Sequence, residues 1–322
     1  MNTRSVKLKK KARAAFSAYG GVAMAVTFMI IVLSLISDKF FLPINIQNLL
    51  KQLTTNALLG YALTLVLISG EIDLTVGSGL AFTGCCFVLF LRMGIPFFIA
   101  MGICLAIGAC IGTMNGFIIT RTGMPAFIVT LGMQNVIRGF AYILCGSEVR
   151  IKTTNEFFYS FGNMRFFGIP IQTYVIVVVA AILILILNCT RFGKHLYATG
   201  GNKHAALYSG INVNKVKTMA FIMSGVITAL AGCITAARVN SGQPTIGQGF
   251  EGDAIAAAVL GGTSFNGGKG TIIGTIIGAV VIGVISNGLN LLNVNYNWQL
   301  VAKGAIIVVA VYFDTWKRSR EK

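Results

Sequence analysis

Acidic side chains are scarce in this chain. It carries 9 Asp+Glu among 322 residues, and charged residues of both signs make up only 11%. A soluble domain is usually about a quarter charged, so a water-clothed globule is excluded for want of polar surface. Histidine is scarcer still. The 2 present, His195 and His204, share one basic stretch, which excludes a zinc site or a His-based nucleophile–base pair within the apolar segments. The 7 cysteines run from Cys85 to Cys233 with no C-x-x-C spacing, so they read as small buried hydrophobes. A phosphate-cradling G-x-x-x-x-G-K-[ST] is also missing. The nearest stretch, "GGTSFNGGKG" (261–270), has Thr263 in place of the first Gly and Gly270 where a hydroxyl should follow Lys269. The chain is therefore expected to bind no ATP, metal or cofactor, and not to be an enzyme.

What is abundant is apolar sequence. Hydrophobic residues make up 55% of the chain, in stretches long enough to cross a bilayer at about 20 residues each. The expected fold is all-α and polytopic. Ten crossings are expected at 18–37, 50–69, 74–92, 95–119, 125–145, 170–188, 216–237, 251–262, 271–292 and 298–314, the eighth short or broken. No small-x-small cleavage site precedes "SDKFF", so the first helix is expected to be retained. The net charge of +17 is unevenly placed. Six basic residues lie in the first 13 positions, five between Arg191 and Lys217 and four after Trp316, while Arg121 and Lys269 sit in short breaks. That is the positive-inside bias of membrane proteins rather than a nucleic-acid footprint, and it places both termini in the cytoplasm. The expected organisation is a basic cytoplasmic segment 1–17, one transmembrane domain 18–314 with an inner loop 189–217, and a cytoplasmic tail 315–322. The 38 glycines include Gly108, Gly112 and Gly116, and Gly270, Gly274 and Gly278, each set aligned on one helix face for close packing.

Two carboxylates interrupt this pattern. Residues 55–91 as one helix would reach about 55 Å, against a hydrocarbon core of about 30 Å, so a turn is required near Gly70. Glu71 and Asp73 then fall at the reversal. Asp73 is expected to cap the next helix and complement its positive end, with gating or contact with a partner subunit as the alternative. "GEIDLTVGSGLAFTG" (70–84) is echoed by "FEGDAIAAAVLGGTS" (250–264), where Asp253 would do the same from the opposite side. Such an echo is what an inverted repeat would give.

At these residues a family resemblance emerges. "SGEIDLTVGS", with Gly77 and Ser78, resembles the G-x-D-L-S-V-G-S signature of permease subunits of bacterial ABC importers for simple sugars, of ribose and galactoside type. The likeness continues through "TRFGKHLYATGGNKHAALYSGINVNKVK" (190–217), "DAIAAAVLGGTSFNGGKGTIIGTIIGA" (253–279) and "NYNWQLVAKGAIIVVAV" (295–311). Glu71 departs from the pattern, which more often has an apolar residue or Thr there. The resemblance implies a multi-pass permease of the bacterial inner membrane that pairs with a second permease chain, identical or homologous. Separate ATP-binding subunits and an external sugar-binding protein complete such an importer.

It also implies sites. "GNKHAALYSGINV" (201–213) can form a short helix started by Asn202 and stopped by Gly210, similar to the family's ATPase-coupling helix. Ala205 and Ala206 would leave room for a groove on the ATPase and Lys203 and His204 would face water, with Ser209 and Ile211 in the same segment. The outer loop 146–168, with Arg150, Lys152 and Arg165, and the segments near 39–49 and 238–250 would meet the binding protein. Asn115, Gln134, Asn135 and Asn287, polar within apolar helices, are path candidates, helix–helix hydrogen bonding being the other explanation. The alternatives are import of another small polar solute (a branched-chain amino acid, nucleoside or furanosyl signal), or an ion-coupled carrier, for which no midplane ion ligands are apparent.

Overall fold

The computed structural model describes residues 24–319 apart from 25 and 147. The basic segment 1–17, the start of the 18–37 crossing and the last three residues of the tail lie outside the described residues. Helices dominate, and proline opens four of them. α1 spans Val26–Ile36, and α2 (Pro43–Ile68) starts with Pro at its first turn. α3 is Val76–Arg92. α4 (Phe97–Thr122), α5 (Ala126–Cys145) and α7 (Ile171–Cys189) follow Pro96, Pro125 and Pro170 directly. Proline has no N–H to lose and a fixed φ, so it begins a helix at little cost. This is why α2 starts at Pro43 rather than at 50, and why part of the expected outer segment 39–49 is helical.

The loop 146–168 is largely structured. It contains α6 (Glu156–Asn163), capped by Asn155, whose side chain accepts from the Phe158 amide at 2.9 Å. A hairpin of β1 (Arg165–Phe166) and β2 (Ile169–Pro170) follows, so the fold is mostly rather than wholly α. Ile151 also bridges Gly242, tying this loop to the 240–249 connection.

Residues 189–202, expected to be loop, form α8 (Arg191–Gly201). After it come α9 (Lys203–Tyr208) and α10 (Val213–Val239). α11 (Phe250–Leu260), α12 (Ile272–Leu291) and α13 (Tyr296–Ser319) complete the order, α13 continuing past the expected boundary at 314. Five of the described helices, α4, α5, α7, α10 and α12, are long and apolar enough to cross a membrane. α11 has 11 residues and rises about 16 Å, about half a bilayer core.

α2, α3, α10, α11 and α12 form the interior. α10 is 72% buried along its apolar window, whereas α5 is 22% buried. Packing here is backbone against backbone. A Cβ on Gly112 would lie 2.1 Å from the Phe221 carbonyl oxygen of α10, and one on Gly108 2.3 Å from that of Gly225. On α12, a Cβ at Gly278 would lie 1.9 Å from the Ala257 oxygen of α11. Hydroxyl pairs tie α2 to α10 and α12, Thr55 to Thr235 at 3.0 Å and Thr64 to Thr275 at 2.6 Å. Close approach and interhelical hydrogen bonds replace the hydrophobic drive that lipid cannot supply.

Candidate functional site

The turn near Gly70 is built by a Schellman cap. The Gly70 amide donates to Leu67 and the Glu71 amide to Val66, at 2.9 and 3.2 Å, with Gly70 at φ +82°. These bonds satisfy the last carbonyls of α2 and turn the chain back. Asp73 follows, and its expected capping role needs correction. α3 begins at Val76 without a side-chain cap, because Asp73 stops two residues short of the flanking Thr75. Its carboxylate instead accepts the Thr75 amide at 3.0 Å and the Thr75 hydroxyl at 2.5 Å, an Asx-type turn. The other oxygen accepts from Ser224 of α10 at 2.9 Å. Asp73 is buried and acts as a knot between the turn and α10. The Ser78 hydroxyl is spent on the Thr75 carbonyl. Glu71 pairs with Lys217, in the second turn of α10.

Asp253 is also corrected. It lies in the first turn of α11, where a negative charge suits the helix dipole, but its side chain makes no cap. The neighbouring α13 presents Lys303, whose ammonium donates to the Asp253 carboxylate at 2.7 Å.

Three residues of α5, each four apart and so on one face, fasten that helix to both motifs. The Thr130 hydroxyl donates to the Ile72 carbonyl at 3.2 Å, and the Gln134 amide to Glu251 at 3.3 Å. The Arg138 guanidinium donates to the carbonyls of Pro244 and Ile246, both at 2.6 Å. Gly77 leaves the space these partners fill: its Cβ would lie 2.4 Å from the Gly247 oxygen and 2.5 Å from a Glu251 oxygen. Thr130 and Arg138 were not anticipated, although the i, i+4, i+8 polar spacing within an apolar helix was a readable signal. Of the path candidates, Asn135 is exposed and Gln134 half-buried on this helix. Asn115 is buried and donates to Thr75, and Asn287 is buried in a mutual amide pair with Asn45. These two serve helix contacts.

From residue 190 onward, three successive helices are opened by side-chain caps. Thr190 accepts from Gly193, Asn202 from Ala205 and Asn212 from Lys215, at 3.2, 2.9 and 3.0 Å. Gly210, at φ +80°, ends α9 with the same Schellman geometry, its amide donating to Leu207 and that of Ile211 to Ala206. The Ser209 hydroxyl bonds back to the Ala205 carbonyl. Lys203, His204 and Ala205 are exposed, but Ala206 is buried and Ile211 packs on the core. Ala206 therefore packs against its own protein, leaving a partner almost none of its side chain to touch. What α9 presents outward is Leu207, 58% exposed, and Tyr208, 88% exposed. Neither was singled out from the sequence, where both read as ordinary apolar residues.

Arg150, Lys152 and Arg165 are exposed at the opposite connection. Beside Arg165, the hairpin tip carries Phe167, 87% exposed, its ring edge-on to Phe166. Among the described residues no group of three or more His, Cys, Asp or Glu is placed to hold a metal ion.

Five described helices long and apolar enough to cross a bilayer, with buried acids tied to neighbouring helices, define a multi-pass membrane protein. Residues 45–311 match the family described as branched-chain amino acid transport system / permease component, and the chain belongs to it. It is 42% identical over 298 residues to the ribose import permease protein of Bacillus subtilis (strain 168), covering 92% of each chain. The D-allose transport system permease protein of Escherichia coli (strain K12) is 36% identical, over 91% of this chain and 90% of its own length. The L-arabinose ABC transporter permease protein of Azospirillum brasilense is 34% identical, over 94% and 89%. No solved structure matches the chain.

Proposed function

We propose that this chain is the membrane-spanning permease subunit of an ABC importer for a monosaccharide of the ribose type. Similarity to sugar permeases across more than nine-tenths of the chain carries the reading. The family's own description names branched-chain amino acids, but the relatives above are named for pentoses and a hexose. ATP is hydrolysed on separate subunits that dock on α9, with Asn202, Lys203, His204, Ala205, Ser209, Gly210 and Ile211 shaping the surface and Leu207 and Tyr208 as its apolar anchors. The capped, outward-facing α9 supports this.

An external sugar-binding protein docks on the 146–168 connection, through Arg150, Lys152 and Arg165. A second permease copy or homologue completes the pathway, with Gln134 and Asn135 of α5 beside it. The chain crosses the membrane ten times with both termini cytoplasmic, residues 18–314 forming one transmembrane domain between the segments 1–17 and 315–322. The helix order and the basic distribution support this. An inverted repeat relates the Asp73 and Asp253 motifs, each leading into a helix of small residues.

The test is uptake of labelled ribose into proteoliposomes containing the permease, its ATPase and a ribose-binding protein. ATP-dependent accumulation that survives ionophores and needs the binding protein is expected. Accumulation by the permease alone would overturn the reading.

A further inference from the structure

α9 is joined to the body of the protein at both ends, and both ends bear on the same turn. Asn202 is at once the last flanking residue of α8 and the cap of α9, so no free linker separates the two helices. The end of α8 is wedged against two backbones. A Cβ on Gly200 would lie 1.8 Å from the Ile68 carbonyl oxygen, at the end of α2, and 2.7 Å from the Gly268 nitrogen of the α11–α12 connection. Gly267 closes the third side, its Cβ position being 2.7 Å from the Gly200 oxygen and 2.9 Å from Gly70. The Gly268 amide donates to Ile68 at 2.9 Å, and the Tyr197 hydroxyl to Gly270 at 2.7 Å. No side chain stands between these three backbones. Side chains change rotamer and absorb small displacements, whereas close-packed backbone transmits them.

The exit from α9 is tied in another way. Lys217, five residues beyond the Asn212 cap, pairs with Glu71, the residue after Gly70. The two side chains are only 12% and 17% exposed, so water screens the pair less than it would a surface bridge.

We infer that the junction of Gly70, Gly200 and Gly267, with the Glu71–Lys217 pair, is the element through which movement of α9 reaches the Asp73 turn and the α11–α12 connection together. The inference rests on the proposed docking of the ATPase at α9. A displacement at α9 arrives at the α2–α3 turn by α8 on one side and by α10 on the other. From Gly70 it is three residues to Asp73, and from Gly270 one residue to Thr271, the side-chain cap of α12. Glu71 and Lys217 are positioning residues: they hold the turn to α10 and touch no substrate.

The test uses the complete importer in proteoliposomes. Glu71→Gln, Lys217→Met and the charge-swapped double variant Glu71→Lys/Lys217→Glu are compared for ATP hydrolysed per sugar imported and for co-purification of the ATPase. Each single variant is expected to retain the ATPase while raising ATP consumed per sugar by about fivefold or more, the low end of what coupling between linked sites carries. The swapped pair is expected to return most of the way to the wild-type ratio. Tyr197→Phe, which keeps the ring and removes the Gly270 bond, is measured in parallel and should move the ratio in the same direction. It decides the matter if a charge variant fails to reach the membrane. A wild-type ratio in the variants, or loss of ATPase binding in place of a changed ratio, overturns the inference. Failure of the wild-type importer to show ATP-driven uptake would instead overturn the function proposed above, so the two failures are distinguishable.

Discussion

Truncating the two outward anchors of α9, Leu207→Ala with Tyr208→Ala, should detach the ATPase while leaving the permease folded. Leu207 and Tyr208 are 58% and 88% exposed, so removing their side chains takes little from the permease interior. α9 keeps what holds it, namely the Asn202 cap, the buried Ala206 and the Gly210 turn. In a complex both side chains would be covered. Burying a leucine is worth about 1.5–3 kcal/mol, and truncating an aromatic anchor commonly costs about 2 kcal/mol. Allowing for incomplete burial, the pair should lose about 3 kcal/mol, about a hundredfold in Kd. Lys203→Ala is the internal control, since an exposed charge at a rim is worth about 1 kcal/mol or less. The assay titrates the ATPase subunit onto permease in nanodiscs and follows thermal unfolding of each variant alone. A Kd within about twofold of wild type for the double variant, with unfolding unchanged, would refute the assignment of α9 as the docking surface.

Asp253→Asn should be strongly destabilising, because it strands the Lys303 ammonium that now sits 2.7 Å from the carboxylate. Removing one partner of a shielded pair costs about 3–5 kcal/mol, whereas Asp253→Asn with Lys303→Met should recover most of it; unfolding of the detergent-solubilised protein reads both, and a single variant as stable as wild type would contradict the pairing. Gly112→Leu should lower stability by about 1–3 kcal/mol or prevent folding, since even a Cβ there would lie 2.1 Å from the Phe221 oxygen. The same measurement checks it, with Gly132→Leu, where nothing lies within 4 Å of the added Cβ, as the neutral comparison.

The long apolar helices were legible in the sequence because apolar length and proline both speak locally. Four of the 5 prolines open a helix, and Gly108, Gly112 and Gly116 of α4, like Gly274 and Gly278 of α12, face the helices they pack on. The caps at Asn202 and Gly70 are equally local, resting on residues within five positions. What could not be read was whatever depends on distant chain. Asp73 looked like a cap because its partner Ser224 is 151 residues away, and Asp253 did so because Lys303 is 50 residues away. α8 was missed because its outer face is basic and polar while Leu196 and Gly193 face inward, so composition reads it as loop. Ala206 was misassigned for a related reason: a six-residue helix does not reveal from its sequence which side lies down.

The seams between helices differ in what it costs to open them. α4 meets α10, and α12 meets α11, through glycine against carbonyl, so separating either pair leaves a gap that no nearby side chain can fill and forfeits the dispersion contacts outright. α5 is held differently. Gly132 and Gly139 face open space, and Thr130, Gln134 and Arg138 fasten it by hydrogen bonds to Ile72, Glu251, Pro244 and Ile246. Hydrogen bonds can be exchanged for others of similar strength, with water or a hydroxylated solute, at a small net cost. Close-packed backbone has no such substitute. α5 also buries Val129, Ile137 and Ala141, so its attachment combines apolar packing with exchangeable bonds to the 243–251 connection, whereas the glycine seams rest on backbone contact. The same three polar side chains link α5 to both acid-bearing turns, so a shift of either turn changes the partners available to α5.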